Sequence, residues 1–259
     1  MNEAWLYTFL SVFGVSLISF VGLFTFSMRA ERLRTVLIYF ISFAAGALFG
    51  DAFFHIIPEV VRTQGFGFYV SLSFLIGIII FLVIEKSIHL HQYHTHGIED
   101  HGREAPDGRL RPFVFTNMFG DAIHNFGDGL IIGASYLVGV SVGLATTFAV
   151  AFHEIPHEVG NFSILVHGGF SRGRALFVNF LTALVAVVGA LAALLLSDAI
   201  GGIQQFVLPV AAGGFIYVAG SDLIPELHKE SDDARKVFFQ LVVFVLGIAL
   251  MALLLLIEH

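Results

Sequence analysis

The chain has 259 residues, of which 57% are apolar and 13% charged, with a formal net charge of −7 and no cysteine. Soluble domains carry about 25% charged residues, so this composition excludes an ordinary soluble globule, and an acidic balance without a basic run excludes nucleic acid as a partner. Without cysteine there is neither a disulfide framework nor a thiolate metal site.

Several apolar runs approach the roughly 20 residues that cross a bilayer as a helix, and the breaks between them predict eight spans. The first, 5–27, follows Asn2 and Glu3 where a signal peptide would carry basic residues, and so reads as a retained membrane span. The second, 36–61, carries Asp51, His55 and Glu59, candidates for lining an ion route or for stabilising fixed helices. The third covers 66–85. Residues 86–111 then form a polar cytoplasmic loop in which His89, His91, His94, His96 and His101 have the composition of a weak metal-buffering tract or a solvated linker.

Spans four (112–138) and five (140–166) contain side chains that a membrane helix ordinarily excludes. A charged group at the centre of such a helix costs about 2.5–3.5 kcal/mol and persists mainly where it pairs or lines a pathway. At about 100° per residue, His124 and Asp128 share a helix face, with Asn125 beside them and Asp121 one turn earlier. His153 and His157 share a face of span five, with Glu154 and Glu158 about 100° further round. The turn between the spans is short, so the two helices are antiparallel neighbours whose clusters meet at one depth. Imidazole and carboxylate together suit a borderline divalent cation such as zinc. Pro156 lacks an N–H for the Phe152 carbonyl and is expected to kink span five. Gly127, Gly129 and Gly133 are expected to let span four approach a neighbour closely.

The remaining spans are 175–197, 203–227 and 236–257, the seventh carrying Asp222 and Glu226. Every Lys and Arg except Arg62 falls at the ends of the odd-numbered spans. By the positive-inside rule those ends are cytoplasmic and both termini lie outside. A seven-span reading would scramble this division. Ala44-Ala45-Gly46 leading to His55-Ile56-Ile57-Pro58-Glu59 also matches Ala211-Ala212-Gly213 leading to Asp222-Leu223-Ile224-Pro225-Glu226 in register. Spans two and seven run in opposite senses, so the match predicts an inverted repeat of the kind found in secondary transporters.

The paired motifs His124-Asn125-x-x-Asp128 and His153-Glu154-x-Pro156-His157-Glu158 resemble those of the LIV-1 subfamily of the ZIP (Zrt-, Irt-like) divalent-metal transporters, and the likeness covers the whole chain. It implies an all-α polytopic membrane protein of one transmembrane domain, 1–259, which is a homodimer and takes metal up toward the cytoplasm. Zinc is the first expectation, with cadmium, iron and manganese also open, and the metal is cargo rather than a catalytic cofactor. The resemblance further implies a binuclear site: His124, Asp128, His153, Glu154 and His157 at one position, Asn125 with bridging Asp128, Glu154 and His157 at the other. Some members complete the second position with a glutamate on span six, where this chain has Ala186. The compact layout points to a bacterial or archaeal cytoplasmic membrane. Two alternatives remain open. His153-Glu154-x-x-His157 also fits the zinc-hydrolase pattern of an intramembrane protease, although the span-four ligands would crowd the open position a catalytic zinc needs. A metal-gated channel or receptor is the other.

Overall fold

The computed structural model describes residues 2–25, 28–95, 112–199, 202, 204–228 and 233–257, and every regular element among them is helical. Helix α1 (Asn2–Ser16) continues through a 3-10 turn (Leu17–Val21). Helix α2 (Ala30–Asp51) passes through a π turn (Ala52–Ile56) into α3 (Ile57–Gln64). Then follow α4 (Phe68–Thr95), α5 (Pro112–Val138), α6 (Val140–His167), α7 (Arg172–Ala183), α8 (Val185–Ala199) and α9 (Gln204–Tyr217). A second π turn (Val218–Leu223) leads into α10 (Ile224–His228), and α11 (Ala234–Leu254) closes the bundle. Pro112 opens α5, where its missing N–H costs nothing. The Asp233 carboxylate caps α11 by accepting the Arg235 backbone N–H at 2.9 Å.

Six stretches among the described residues are long and apolar enough to cross a membrane: Glu3–Val21, Glu31–Gln64, Phe68–Ser87, Arg172–Ser197, Gln204–His228 and Ala234–Leu254. They coincide with six of the eight expected spans. Helices α5 and α6, at 27 and 28 residues, have the length but not the apolarity. The acids, imidazoles and amides between Asp121 and Asp128 and between His153 and Asn161 dilute it. Helix α4 runs ten residues past the expected end of span three, so the polar segment begins as helix and His89, His91 and His94 lie on it. His96 and His101 lie outside the described residues.

Three helix pairs are joined by one repeated contact. A methyl group on Gly129 of α5 would fall 1.8 Å from the Ala186 carbonyl oxygen of α8, and one on Gly189 would fall 2.0 Å from that of Phe126. Between α2 and α11, a methyl group would fall 2.0 Å from the Phe244 carbonyl oxygen if placed on Gly46 and 2.3 Å from that of Phe43 if placed on Gly247. Between α4 and α9, a methyl group on Gly77 would fall 2.0 Å from the Val210 carbonyl oxygen and one on Gly213 would fall 2.1 Å from that of Phe74. In every pair each glycine meets the carbonyl three residues before its counterpart. One turn on, Gly133 meets Ala190 and Gly50 meets Ile248 at the same sequence offsets, so these helices run parallel. Such close approach admits Cα–H···O contacts of about 0.5–1 kcal/mol each, and it lets dispersion act where no hydrophobic drive exists between helices. Gly127, grouped with these glycines on sequence grounds, has nothing near it and takes no part.

The two π turns occupy equivalent places in the sequence repeat. The Ile57 N–H bonds back to the Ala52 carbonyl, and the Ile224 N–H bonds back to Ala219. One residue separates each turn from a proline, Pro58 or Pro225. Proline offers no N–H and its ring collides with the carbonyl four residues earlier, and widening the helix to an i→i−5 bond relieves that collision. Pro156 behaves differently: α6 runs as one α-helix from Val140 to His167 through it.

Replacing Gly129 with alanine should force α5 and α8 apart and destabilise the protein by about 1–3 kcal/mol, the usual cost of overpacking. Gly127→Ala, two residues away, should leave thermal unfolding in detergent or nanodiscs essentially unchanged. Equal melting temperatures for the two variants would contradict the pairing.

Candidate metal centre

Four side chains from the middles of α5 and α6 converge. His124 Nε2 lies 3.2 Å from His153 Nε2, 3.2 Å from Glu154 Oε1 and 3.6 Å from Asp128 Oδ2. His153 Nε2 lies 3.5 Å from Asp128 Oδ2 and 3.3 Å from Glu154 Oε1. An ion bound tetrahedrally with bonds of about 2.0–2.1 Å separates its ligands by about 3.3–3.4 Å. These spacings are therefore close to the edges of one coordination tetrahedron. Asp128, His153 and Glu154 are buried, and Asp128 Oδ2 and Glu154 Oε1 have no hydrogen-bond partner. Burying an acceptor unpaired is costly, and a cation bound among these atoms would remove the cost.

His157 and Asn125 stand beside this cluster rather than in it. His157 Nδ1 is 3.6 Å from Glu154 Oε1 and 3.7 Å from Asp121 Oδ1, and its ring lies on that of His124 with centroids 4.3 Å apart. Its side chain is 34% exposed, against 1% for Glu154. The Asn125 amide donates to the backbone and side-chain oxygens of Asp121, both at 3.1 Å. Asp121 also accepts from Asn161 Nδ2 at 2.5 Å, and that nitrogen is 3.3 Å from His157 Nδ1. Asn117 in turn donates to Asn161 Oδ1 at 3.2 Å. Asp121, Asn161 and Asn117 thus fix the orientation of His157. Asn161 and Asn117 fall outside the sequence motifs, although Asn161 lies one turn beyond His157 on the same helix face.

Glu158 has another partner. It turns to α7, where Asn179 Nδ2 donates to Glu158 Oε2 at 2.5 Å and lies 3.4 Å from the Ser19 carbonyl. Ser16 donates to the Ala183 carbonyl at 2.9 Å. These bonds tie α1, α6 and α7 together and make Glu158 a fastening between helices. At the place on α8 where some members carry a glutamate, Ala186 sits with its backbone against Gly129.

A cavity of about 360 Å³ opens on the cluster, bounded by α5 and α6 on one side and by α2, α4, α9 and α10 on the other. Asp121, His124, His153 and His157 face it, as do Asp222 and Glu226, two of the residues singled out in span seven. Glu85 lines it too and accepts a hydrogen bond from Tyr217, a pair that no motif indicated. Asp51 and His55 lie elsewhere: both are buried, 3.5 Å apart, with Thr146 donating to Asp51 at 3.0 Å. Glu59 is held by Arg62 and lines a separate cavity. The arrangement also bears on the hydrolase alternative. There Glu154 would stand back as a base while His153 and His157 bound zinc. Instead Glu154 Oε1 joins the cluster and His157 turns aside.

Comparison with known proteins identifies the family. The profile of the ZIP zinc transporter family matches residues 2–111 and 90–255. Zinc transporter zipt-7.1 of Caenorhabditis briggsae is 30% identical over 89% of this chain and 71% of its own length. Zinc transporter SLC39A7 of Mus musculus is 32% identical over 96% of this chain and 69% of its own, and zinc transporter ZIP4 of Homo sapiens 30% over 93% and 46%. These are animal proteins, which lend no support to a bacterial or archaeal membrane as the home of this chain. With six apolar helices of membrane length and a match along nearly its whole sequence, the chain is an integral membrane protein of the ZIP zinc transporter family, a family of transporters and not of enzymes.

Proposed function

We propose that this protein carries divalent cations, zinc foremost, across a membrane toward the cytoplasm through the His124, Asp128, His153 and Glu154 cluster. The observation that carries the reading is the near-tetrahedral spacing of four mostly buried donor atoms beside an acid-lined cavity. Cadmium, iron and manganese are further candidate cargoes, because ligand type alone does not separate first-row metals. Helices α5 and α6 serve as spans four and five of eight, with both termini outside. The cavity then opens to the side that carries all Lys and Arg but Arg62, so the conformation is inward-facing and Asp222 and Glu226 line the exit. His157, aimed toward the cavity, takes the ion as it leaves the cluster, and Asn125 and Asp121 position these ligands. A homodimer and a histidine-bearing cytoplasmic loop within 86–111 complete the reading.

Transport proceeds by alternating access. Spans one, four, five and six move as one body, held by the Gly129–Ala186 and Gly189–Phe126 contacts and by the Ser16 and Asn179 bonds. The α2–α11 and α4–α9 pairs form the wall against which they move.

Alanine at His153 or Asp128 should abolish zinc flux in proteoliposomes while folded protein still reaches the membrane. If both variants carry zinc at the parental rate, the site is misassigned. Asn161→Leu keeps side-chain volume but releases Asp121 and His157, and zinc affinity by titration calorimetry should fall about 10–100-fold, as for lost supports of metal ligands. The absence of native cysteine allows one engineered pair, Leu137→Cys with Gln205→Cys, whose positions line one cavity between α5 and α9. Oxidising the pair should stop flux without releasing bound zinc, and reduction should restore it. Full transport by the cross-linked protein would favour a static channel.

A further inference from the structure

The sequence repeat pairs Glu226 with Glu59, and the fold gives each a cavity. Glu226 lines the one that reaches the metal cluster. Glu59 lines a second, of about 220 Å³, among α3, the end of α5 and the start of α9. This second cavity is walled by Thr63, Gln64, Leu137, Val138, Gln204 and Gln205, and none of the cluster residues borders it. It lies where α5 meets α3 and α9, the same boundary between helix groups that the larger cavity follows.

Its polar lining is rich in acceptors. The Glu59 side chain is only 14% exposed, and Gln204 Oε1 is buried without a hydrogen-bond partner. Two of the nearby donors are committed, Thr63 to the Glu59 carbonyl at 2.8 Å and Gln64 Nε2 to the Gln205 carbonyl at 3.0 Å. The cation at the carboxylate is Arg62, which donates from Nε at 2.8 Å and from Nη2 at 2.7 Å. Arg62 is 73% exposed and approaches from solvent. The guanidinium stays hydrated when it swings away into solvent, so a divalent ion, with twice its charge, can compete with it for Glu59. The water shell of such an ion directs its hydrogens outward, toward acceptors such as Glu59 and Gln204.

We propose that this second cavity is a capture site for a hydrated divalent cation, in which the ion displaces Arg62 from Glu59 on the side of the protein opposite the cluster's cavity. Arg62 then acts as a tethered competitor that sets the metal concentration at which the site fills. This inference rests on the metal-transport reading for its biological use, but its chemistry can be tested without flux.

The test uses full-length protein in which Asp128→Ala and His153→Ala disable the cluster, with zinc binding measured by equilibrium dialysis. In that background Arg62→Gln should tighten the residual binding several-fold and Glu59→Gln should weaken it several-fold, with the double variant following Glu59→Gln. In protein with an intact cluster, KM for zinc added outside should move in the same two directions, with kcat changing less. A merely structural ion pair would shift both single variants alike, and that result, or no shift in either, overturns the proposal. If Glu59→Gln does not fold, Arg62→Gln decides alone, and unchanged or weaker binding overturns it. Loss of flux in every protein with the dialysis pattern intact would count against transport and not against this site.

Discussion

Contact between glycine and carbonyl oxygen sets the distance between helices here, and the metal cluster depends on that distance. Gly129 follows Asp128 directly, so the residue that lets α5 lie on α8 also fixes the rotation of the helix that presents Asp128 and His124. A side chain at Gly129 would not simply fill space. It would push against backbone, which cannot swing aside as a rotamer can. The same contact recurs in α2–α11 and α4–α9, which yields three stiff parallel pairs. Polar hydrogen bonds then fasten α1, α6 and α7 to one another. A molecule assembled from stiff parts has soft seams between them, and both polar cavities described above lie on a seam.

Electrostatics explains why the cluster sits at such a seam. Imidazoles and carboxylates facing one another at 3.2–3.6 Å, two of the oxygens without hydrogen-bond partners, make a site that attracts a cation strongly. Were it sealed on all sides, an ion would neither reach it nor leave. The cavity opens on it, and His157, Asp222 and Glu226 face that cavity. Positioning and charge are separated in this design. Asp121, Asn125, Asn161 and Asn117 hydrogen-bond among themselves and orient His157 without facing the four-atom cluster.

The paired π turns show how a repeat can persist in backbone geometry after most of its side chains have diverged. Pro58 and Pro225 impose the same local demand, and the chain meets it with the same i→i−5 bond five residues after Ala52 and Ala219. The outcomes differ by environment. In one copy the acid after the proline lines the cavity that reaches the cluster. In the other, Glu59 is closed by Arg62.

Sequence alone determined the membrane class, the helical character of the expected spans, the repeat, and the two helices on which the imidazoles and carboxylates gather. It did not determine every helix end, since α4 runs ten residues past the expected end of span three. Helical periodicity and apolar run length are local properties, so 112–138 and 140–166 could be read directly and recur as α5 and α6. The family likeness followed from the same residues. Tertiary structure decided which of the six candidate ligands converge. Periodicity places His153 and His157 on one face but leaves open how far α6 is rotated and shifted against α5, and that offset turns His157 toward the cavity. It also separated Gly129 from Gly127, since only a neighbouring backbone distinguishes a contact glycine from an idle one. Asn161, Asn179, Glu85 and Tyr217 acquire their roles from partners as many as 132 residues away in sequence, a relation no local pattern encodes.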